Sequence, residues 1–270
     1  MNTLKANRID SRLAVLGAQN KKALTAYLVA GDPNLALTLA AMHCMVESGV
    51  DIIEIGVPFS DPSAEGPSIQ RAHERALASK TSLKKIFQLI SDFRSTDSNT
   101  PIVLMGYTNP IEWMGIESFA QQAAEAGVDG ALTVDLPPEE AGSYTPIFKQ
   151  NGLVNIFLIA PTTSDKRMQS IADMASGFLY YVSLKGVTGS AKLDIEEAKG
   201  RVKKIRGCSS LPVCVGFGIK TAEAAAAVSD YADGIVIGSA IVDILGRCES
   251  EGQVVSQLKA YLTEIRQAIG

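Results

Sequence analysis

Three stretches of the chain share one pattern, in which a helical segment ends at small residues and an Asp precedes an apolar run. They are ESGVDIIEIG at 47–56, EAGVDGALTVD at 125–135 and YADGIVIG at 231–238. Glycine suits the left-handed conformation that ends many helices. Runs that are apolar at nearly every position are typical of parallel strands covered on both faces. We interpret each stretch as the junction between a helix and the next strand.

The same pattern extends over the whole chain as an alternation of strands and helices. Eight short apolar runs predict strands at 24–29, 52–55, 102–105, 131–134, 155–159, 179–183, 213–215 and 235–237. Helical spacing predicts helices at 35–47, 68–79, 83–93, 116–126, 138–150, 165–175, 195–206, 221–229 and 254–268, and one more at 4–16. Strict alternation of this kind predicts a parallel sheet.

The number of repeats indicates how the sheet closes. Eight strand–helix repeats in about 250 residues favour a (β/α)8 TIM barrel with an extra N-terminal helix. An open doubly wound sheet stays an alternative, because a strand count from one sequence is uncertain by one or two. No linker or low-complexity stretch divides the chain, so we expect residues 1–270 to form a single domain.

Composition and charge exclude several classes of protein. The 270 residues carry 25 Lys and Arg against 29 Asp and Glu, a net charge of −4. This balance argues against nucleic acid and anionic membranes as partners, since both require a basic face. No run approaches the ~18 apolar residues of a membrane span. Residues 1–20 lack the continuous apolar core of a signal peptide, so we expect a cytoplasmic protein.

Cysteine and histidine usage limits the chemistry further. The four cysteines are widely spaced and form no CxxC pair, which argues against a zinc knuckle or a thioredoxin-type site. The two histidines, His43 and His73, fall in predicted helices, and we interpret both as ordinary helix residues. Two histidines are too few for most metal sites that use several His ligands, and they argue against a His-based catalytic triad.

Glycines follow three successive predicted strands. They lie in GVTGS at 186–190, in GFG at 216–218 and in Gly238-Ser239 before a short predicted helix at 240–245. Glycine lets backbone N–H groups approach a ligand closely. Loops after strands 7 and 8 with a short extra helix are the usual phosphate site of TIM barrels. The pattern predicts a phosphorylated small-molecule substrate; the alternative is that these are plain turn glycines.

Two carboxylates near the second strand are candidates for acid–base chemistry. Glu54 lies inside an otherwise apolar strand, where burial costs free energy unless the group has a partner or a task. Burial should raise its pKa, which suits a general acid–base group. Glu65 follows in a proline-bracketed loop with Asp61, where a solvated loop charge is an equally good interpretation.

Other polar residues follow other predicted strands. Tyr107 and Asn109 come after strand 3, and Asp135 comes after strand 4, where it could orient a neighbour or cap the next helix. Lys185 follows strand 6 and could form a Schiff base with a carbonyl substrate, although a charge on a glycine-rich loop is the simpler interpretation.

Taken together, these motifs resemble the tryptophan synthase alpha subunit family. The strand 2 motif IEIGVPFSDP at 53–62, followed by EGP at 65–67 and Gln70, carries the resemblance. The phrases GDP, GVTG, GFGI and GSAIV follow in that family's order and spacing, at 31–33, 186–189, 216–219 and 238–242. The resemblance implies a TIM barrel that cleaves indole-3-glycerol phosphate into indole and glyceraldehyde 3-phosphate. It also implies no cofactor in this chain and a pyridoxal-phosphate-dependent beta subunit as partner, in an αββα heterotetramer with a channel for indole.

The resemblance assigns roles to individual residues. It matches Glu54 to the acid–base glutamate and Glu65 to the second catalytic carboxylate. The substrate-binding or supporting positions that it implies are Tyr27, Tyr107, Asp135, Thr188, Gly189, Gly218, Gly238 and Ser239.

The chain departs from the family pattern at Glu65, where the pattern has Asp. The charge is kept and the reach is longer, so we expect function to survive. Two alternatives stay open. One is a catalytically weak regulatory barrel that activates a partner, and the other is a Schiff-base aldolase that uses Lys185.

Overall fold

The computed structural model describes residues 7–182, 195–216 and 218–270. Its strands close a barrel in chain order, and every neighbouring pair is parallel. The strands are β1 Ala23–Val29, β2 Ile52–Gly56, β3 Ile102–Gly106, β4 Gly130–Thr133, β5 Val154–Ile159, β6 Leu179–Val182, β7 Val213–Gly216 and β8 Gly234–Ile237. The predicted (β/α)8 TIM barrel is confirmed, and the open sheet is excluded.

Helices surround this barrel. They are α1 Arg8–Ala18, α2 Leu35–Glu47, α3 Pro67–Ala78, α4 Leu83–Arg94, α5 Thr108–Met114, α6 Ile116–Ala126, α7 Tyr144–Gln150, α8 Asp165–Met174, α9 Ile195–Cys208, α10 Ala222–Ser229, α11 Ser239–Leu245 and α12 Glu251–Ile269. None of the described helices is long and apolar enough to cross a bilayer.

Helix α1 closes the barrel at the amino ends of the strands. Its apolar face, Ile9, Leu13 and Leu16, is buried in one cluster with inward-facing strand residues. A Cβ on Gly130 would lie 2.5 Å from a methyl carbon of Val154 and 3.2 Å from Ile9, so glycine at this position allows the close packing of β4 against both residues. The described residues therefore pack closely at this end of the barrel.

The Asp of each repeated sequence phrase has the same structural task. Asp51, Asp129 and Asp233 each accept the backbone N–H of the first or second residue of the preceding strand, all at 2.8 Å. Arginines complete the arrangement: Arg12 and Arg266 contact Asp51, Arg8 and Arg94 contact Asp129, and Arg206 contacts Asp233. The repeated motif thus ties neighbouring strands together at the amino end of the barrel.

The structure departs from the predicted helices at two places. The predicted helix at 138–150 starts only at Tyr144, because the segment after Pro137 forms turns in which Glu140 and Ala141 both donate to the Pro137 carbonyl. Helix α5 was not among the predicted helices. Pro110 lies in the first turn of α5, where a helix tolerates proline because that N–H needs no helical partner.

Candidate active site

A cavity of about 390 Å³ opens at the carboxyl ends of the strands. Its walls come from strands on opposite sides of the barrel and from the loop before α3. The lining residues are Tyr27, Glu54, Glu65, Gly66, Pro67, Ser68, Ile69, Met105, Tyr180, Gly218, Ile219, Lys220, Val236, Gly238 and Ser239. The cavity therefore brings together six of the residues predicted from the sequence: Tyr27, Glu54, Glu65, Gly218, Gly238 and Ser239.

Glu54 points from β2 into the closed end of this cavity. The residue is 1 % exposed, and neither carboxylate oxygen has a hydrogen-bond partner among the described residues. Burial raises the pKa of Glu54 from 4.5 to about 8, and the negative charge of Glu65 adds to the shift. At neutral pH Glu54 is therefore largely protonated, a carboxylic acid that can donate a proton to a bound molecule.

Glu65 enters the same cavity from the loop between β2 and α3. Its side chain is 8 % exposed, and burial raises its pKa to about 7. The backbone around it is fixed at two points, because Glu65 N donates to the Pro62 carbonyl at 3.0 Å and Gln70 Nε2 donates to the Glu65 carbonyl at 2.9 Å. The loop therefore holds an ionisable carboxyl at a defined place in the cavity that Glu54 also lines.

Tyr27 of β1 is paired in register with Glu54 of β2, and its side chain lines the cavity beside it. A Cβ on Gly56 would lie 2.2 Å from the Tyr27 hydroxyl oxygen, so glycine at position 56 is what admits the ring. The Tyr27 hydroxyl lies 3.5 Å from Nε2 of His73. Tyr27 thus forms a wall of the cavity and is held from behind by a side chain of α3.

His73 was interpreted from the sequence as an ordinary helix residue, and the structure gives it a larger part. Its Nδ1 accepts the backbone N–H of Phe59 at 3.0 Å. Burial lowers the pKa of His73 to about 4, so the ring is neutral. A neutral ring that accepts at Nδ1 carries its proton on Nε2, which therefore faces the Tyr27 hydroxyl as a donor. His73 links the strand 2 loop to the wall of the cavity.

Tyr107 supports the loop from outside the cavity lining. Its hydroxyl accepts the backbone N–H of Ala64, the residue before Glu65, at 3.1 Å. Its ring stacks on Phe59 with centroids 4.9 Å apart. Asp135 lies further away and accepts both the N–H of Thr108, at 2.7 Å, and its hydroxyl, at 2.9 Å. Asp135 caps α5, whereas the sequence analysis offered it as a cap for the helix after Pro138.

The other end of the cavity is lined by glycines and a serine instead of carboxyl groups. Gly218, Gly238 and Ser239 line it, and α11 begins at Ser239. Three predicted residues of the loop after β6, Lys185, Thr188 and Gly189, lie outside the described residues. Within the described ranges no group of three His, Cys, Asp or Glu side chains could hold a metal ion. The cavity thus has an acidic, partly apolar end and a glycine-rich end.

Sequence reasoning missed three residues with ionisable side chains that the structure places at or beside the cavity. Tyr180 of β6 points inward, but its run of two tyrosines gave no alternation to show which one does. Lys220 lies two residues after the GFG motif, where a lysine in a loop gives no signal in the sequence. His73 could have been found from its position on the first helix after the strand 2 loop.

Comparison with known proteins gives a consistent result. The profile of the family described as "Tryptophan synthase alpha chain" matches residues 13–270. The tryptophan synthase alpha chain of Methylococcus capsulatus is 53 % identical over 264 residues, covering 97 % of this chain and 99 % of that one. That of Cupriavidus taiwanensis is 51 % identical over 263 residues, with coverages of 97 % and 99 %.

Solved structures agree with the sequence relatives. The crystal structure of tryptophan synthase subunit alpha from Legionella pneumophila superposes with a TM-score of 0.92 at 47 % identity, covering 98 % of this chain and 99 % of that one. A chain of tryptophan synthase from M. tuberculosis, in an aminoacrylate-bound form, superposes with a TM-score of 0.87 at 33 % identity, with coverages of 98 % and 100 %.

Proposed function

The chain belongs to the tryptophan synthase alpha chain family, whose members cleave indole-3-glycerol phosphate, and we propose that Glu54 and Glu65 carry out this cleavage. It is a carbon–carbon lyase of tryptophan biosynthesis. The observation that carries the residue assignment is the pair of buried carboxyl groups in one cavity, each with a raised pKa. We also propose that residues 1–270 act as one catalytic domain.

The reaction is a retro-aldol cleavage that needs two proton movements. Protonation of indole C3 gives an indolenine-like cation, and removal of the proton from the C3′ hydroxyl lets the C3–C3′ bond break. The electrons of that bond return to the indole ring, and the hydroxyl oxygen becomes the aldehyde of glyceraldehyde 3-phosphate. One proton is gained and one is lost, so a single acid–base group can serve both steps.

Glu54 suits this shuttle. A carboxyl with a pKa of about 8 is protonated in the resting cavity at neutral pH, and it can give its proton to C3. The resulting carboxylate has no hydrogen-bond partner among the described residues, so it is a strong base toward the C3′ hydroxyl. Removal of that proton restores the acid.

Glu65 is assigned to the indole nitrogen. The intermediate carries positive charge at N1, and a carboxylate near N1–H stabilises it electrostatically. With a pKa of about 7, against about 8 for Glu54, Glu65 is the more readily ionised of the two carboxyls. A cation in the cavity would lower its pKa further, because opposite charge favours the ionised form.

The surrounding residues would orient these two groups. Tyr27 walls the indole end, and Tyr107 holds the loop that carries Glu65. Asp135 acts more remotely, through the start of α5, which immediately follows Tyr107. By its resemblance to the family motif, Thr188 would meet the strand 2 loop when the site closes.

The glycine-rich end would hold the phosphate. We assign its binding to the backbone amides at Gly189, Gly218 and Gly238 and to Ser239. The exposure of Gly218 and the position of Ser239 at the start of α11 support this role. Binding energy gained there is remote from the bond that breaks, and it positions the reacting carbon against Glu54.

The family implies a tryptophan synthase beta subunit as partner. We propose the αββα heterotetramer, with indole passing to a beta subunit that carries the pyridoxal phosphate and with no cofactor in this chain. A cytoplasmic location fits the reduced cysteines of the described residues and stays a prediction.

Release of glyceraldehyde 3-phosphate from indole-3-glycerol phosphate tests the proposal. The purified chain should release it slowly alone and much faster with a beta subunit added. No release under either condition would overturn the assignment and favour a binding role.

A further inference from the structure

We infer that Lys220 is a phosphate-binding and specificity residue, which supplies the positive charge that matches the phosphate of the substrate. This inference rests on the proposed function. Lys220 lines the glycine-rich end of the cavity together with Gly218, Gly238 and Ser239. None of the roles assigned above to the phosphate site uses a cationic side chain.

The charge distribution around the cavity singles out this lysine. Among the described lining residues, Lys220 is the one with a cationic side chain, while the two acidic ones, Glu54 and Glu65, come from β2 and the loop after it. A phosphate monoester near neutral pH carries close to two negative charges. Without Lys220, a dianion would enter a cavity whose described titratable groups are carboxyls and tyrosines.

The ammonium of Lys220 is available for this task. No salt bridge or side-chain hydrogen bond engages it among the residues that the structure describes, although ion pairs occupy many other cations of the chain. The residue is exposed at the cavity mouth. A free ammonium at the rim, next to backbone amides, is suited to attract and hold an anion.

The backbone of Lys220 is anchored on both sides, so the start of the side chain is fixed. The Lys220 carbonyl accepts the hydroxyl of Tyr261 from α12 at 3.2 Å. The next residue, Thr221, caps α10 by accepting the N–H of Ala224 at 3.3 Å. The preceding residue, Ile219, is buried at 2 % exposure. Because the backbone is fixed, the flexible Lys220 side chain can adjust to a bound phosphate without a movement of the loop.

The position of Lys220 predicts an effect on substrate binding and none on the chemical step. Lys220 lies with the glycine-rich end of the cavity, whereas the reacting carbon must lie near Glu54, so the lysine contacts the phosphate equally in the substrate and in the transition state. Uniform binding of this kind lowers KM and leaves kcat unchanged. The lysine should also discriminate between phosphorylated ligands and indole, which carries no phosphate.

The test compares Lys220→Met and Lys220→Arg with Lys149→Met, a control at the exposed end of α7. We expect Lys220→Met to raise KM for indole-3-glycerol phosphate and Kd for glycerol 3-phosphate about 2- to 5-fold, within the range for a solvent-accessible ion pair. The change in kcat should stay within about twofold. The Kd for indole should not change, Lys220→Arg should restore phosphate affinity, and Lys149→Met should match the parent protein.

Titration with glycerol 3-phosphate at rising ionic strength adds an independent readout. Affinity should fall more steeply with salt in the parent protein than in Lys220→Met, because screening acts on the lysine–phosphate attraction. Unchanged KM and Kd in Lys220→Met, or an equal loss for indole, would overturn the inference. A parent protein that binds glycerol 3-phosphate through Lys220 but releases no product would contradict the proposed reaction alone.

Discussion

The ring of His73 accepts the backbone N–H of Phe59 at 3.0 Å, which ties the loop that carries Glu65 to helix α3. The other ring nitrogen, Nε2, lies 3.5 Å from the hydroxyl of Tyr27, which is paired with Glu54 on the neighbouring strand. The neutral side chain of His73 therefore fixes the position of the strand 2 loop relative to Tyr27.

Removing this link should loosen the site. We expect His73→Ala to lower kcat about tenfold and to lower the free energy of unfolding by roughly 1–2 kcal/mol, because the partly buried N–H of Phe59 loses its acceptor. His73→Asn should recover part of both, since its amide oxygen can take the place of Nδ1. Steady-state kinetics and urea unfolding measure the two effects.

The second histidine provides the matched control. His43 of α2 packs against Phe93 with ring centroids 5.0 Å apart, away from the cavity. His43→Asn should leave kcat unchanged. Equal losses of kcat in the two Asn variants would show that His73 does not position the site.

Substitutions of Glu65 separate the effect of its charge from the effect of its side-chain length. We expect Glu65→Gln to lower kcat about 100-fold, because the amide cannot offer negative charge to the indole nitrogen. Glu65→Asp keeps the charge and shortens the side chain by one methylene, so its kcat should stay within about tenfold of the parent. Rates that follow side-chain length rather than charge would contradict the electrostatic role.

Glu54 should make stability depend on pH. Folding raises its pKa from 4.5 to about 8, so the folded protein binds more protons than the unfolded chain between these values. The free energy of unfolding therefore falls as pH rises through this window. Glu54→Gln removes the ionisation and should gain roughly 2–4 kcal/mol over the parent at pH 9, with little gain at pH 5.

Urea unfolding of both proteins at the two pH values measures this difference. Glu139→Gln is the control, since its carboxyl is exposed and pairs with the half-exposed Arg167. A gain in Glu54→Gln that is the same at pH 5 and pH 9 would show that the carboxyl is not held protonated by burial.

The amino end of the barrel should matter for stability alone. Asp129 is buried and accepts the Ile102 N–H while it pairs with Arg8 and Arg94, so Asp129→Asn should cost roughly 3 kcal/mol. Asp165→Asn removes an exposed partner of Arg201 and should cost under about 0.5 kcal/mol. Both variants should keep the parent kcat, and a selective loss of kcat in Asp129→Asn would contradict the division between the two ends.

The fold was predictable because the chain repeats one local signal. Parallel strands covered on both faces are apolar throughout, and each Asp that precedes such a run marks where a strand begins. Ends of elements were less predictable. The start of α7 depends on turns after Pro137, and α5 depends on a proline that a helix accepts in its first turn.

The candidate site was predictable where a residue breaks its local pattern. Glu54 interrupts an apolar strand, and the glycines recur at three strand ends. His73, Tyr180 and Lys220 break no such pattern, because a histidine in a helix or a lysine in a loop is ordinary in sequence. Their importance comes from contacts between segments far apart in the chain, such as Tyr27 with His73 or Tyr261 with Lys220.

The most direct measurement is the initial rate of glyceraldehyde 3-phosphate release from indole-3-glycerol phosphate, with a beta subunit present, by the parent protein and by Glu54→Gln. Gln keeps the shape of the side chain and cannot shuttle a proton. We predict a loss in kcat of at least about 1,000-fold with Kd for glycerol 3-phosphate unchanged. Turnover by Glu54→Gln within tenfold of the parent rate would contradict the assignment of Glu54 as the acid–base group.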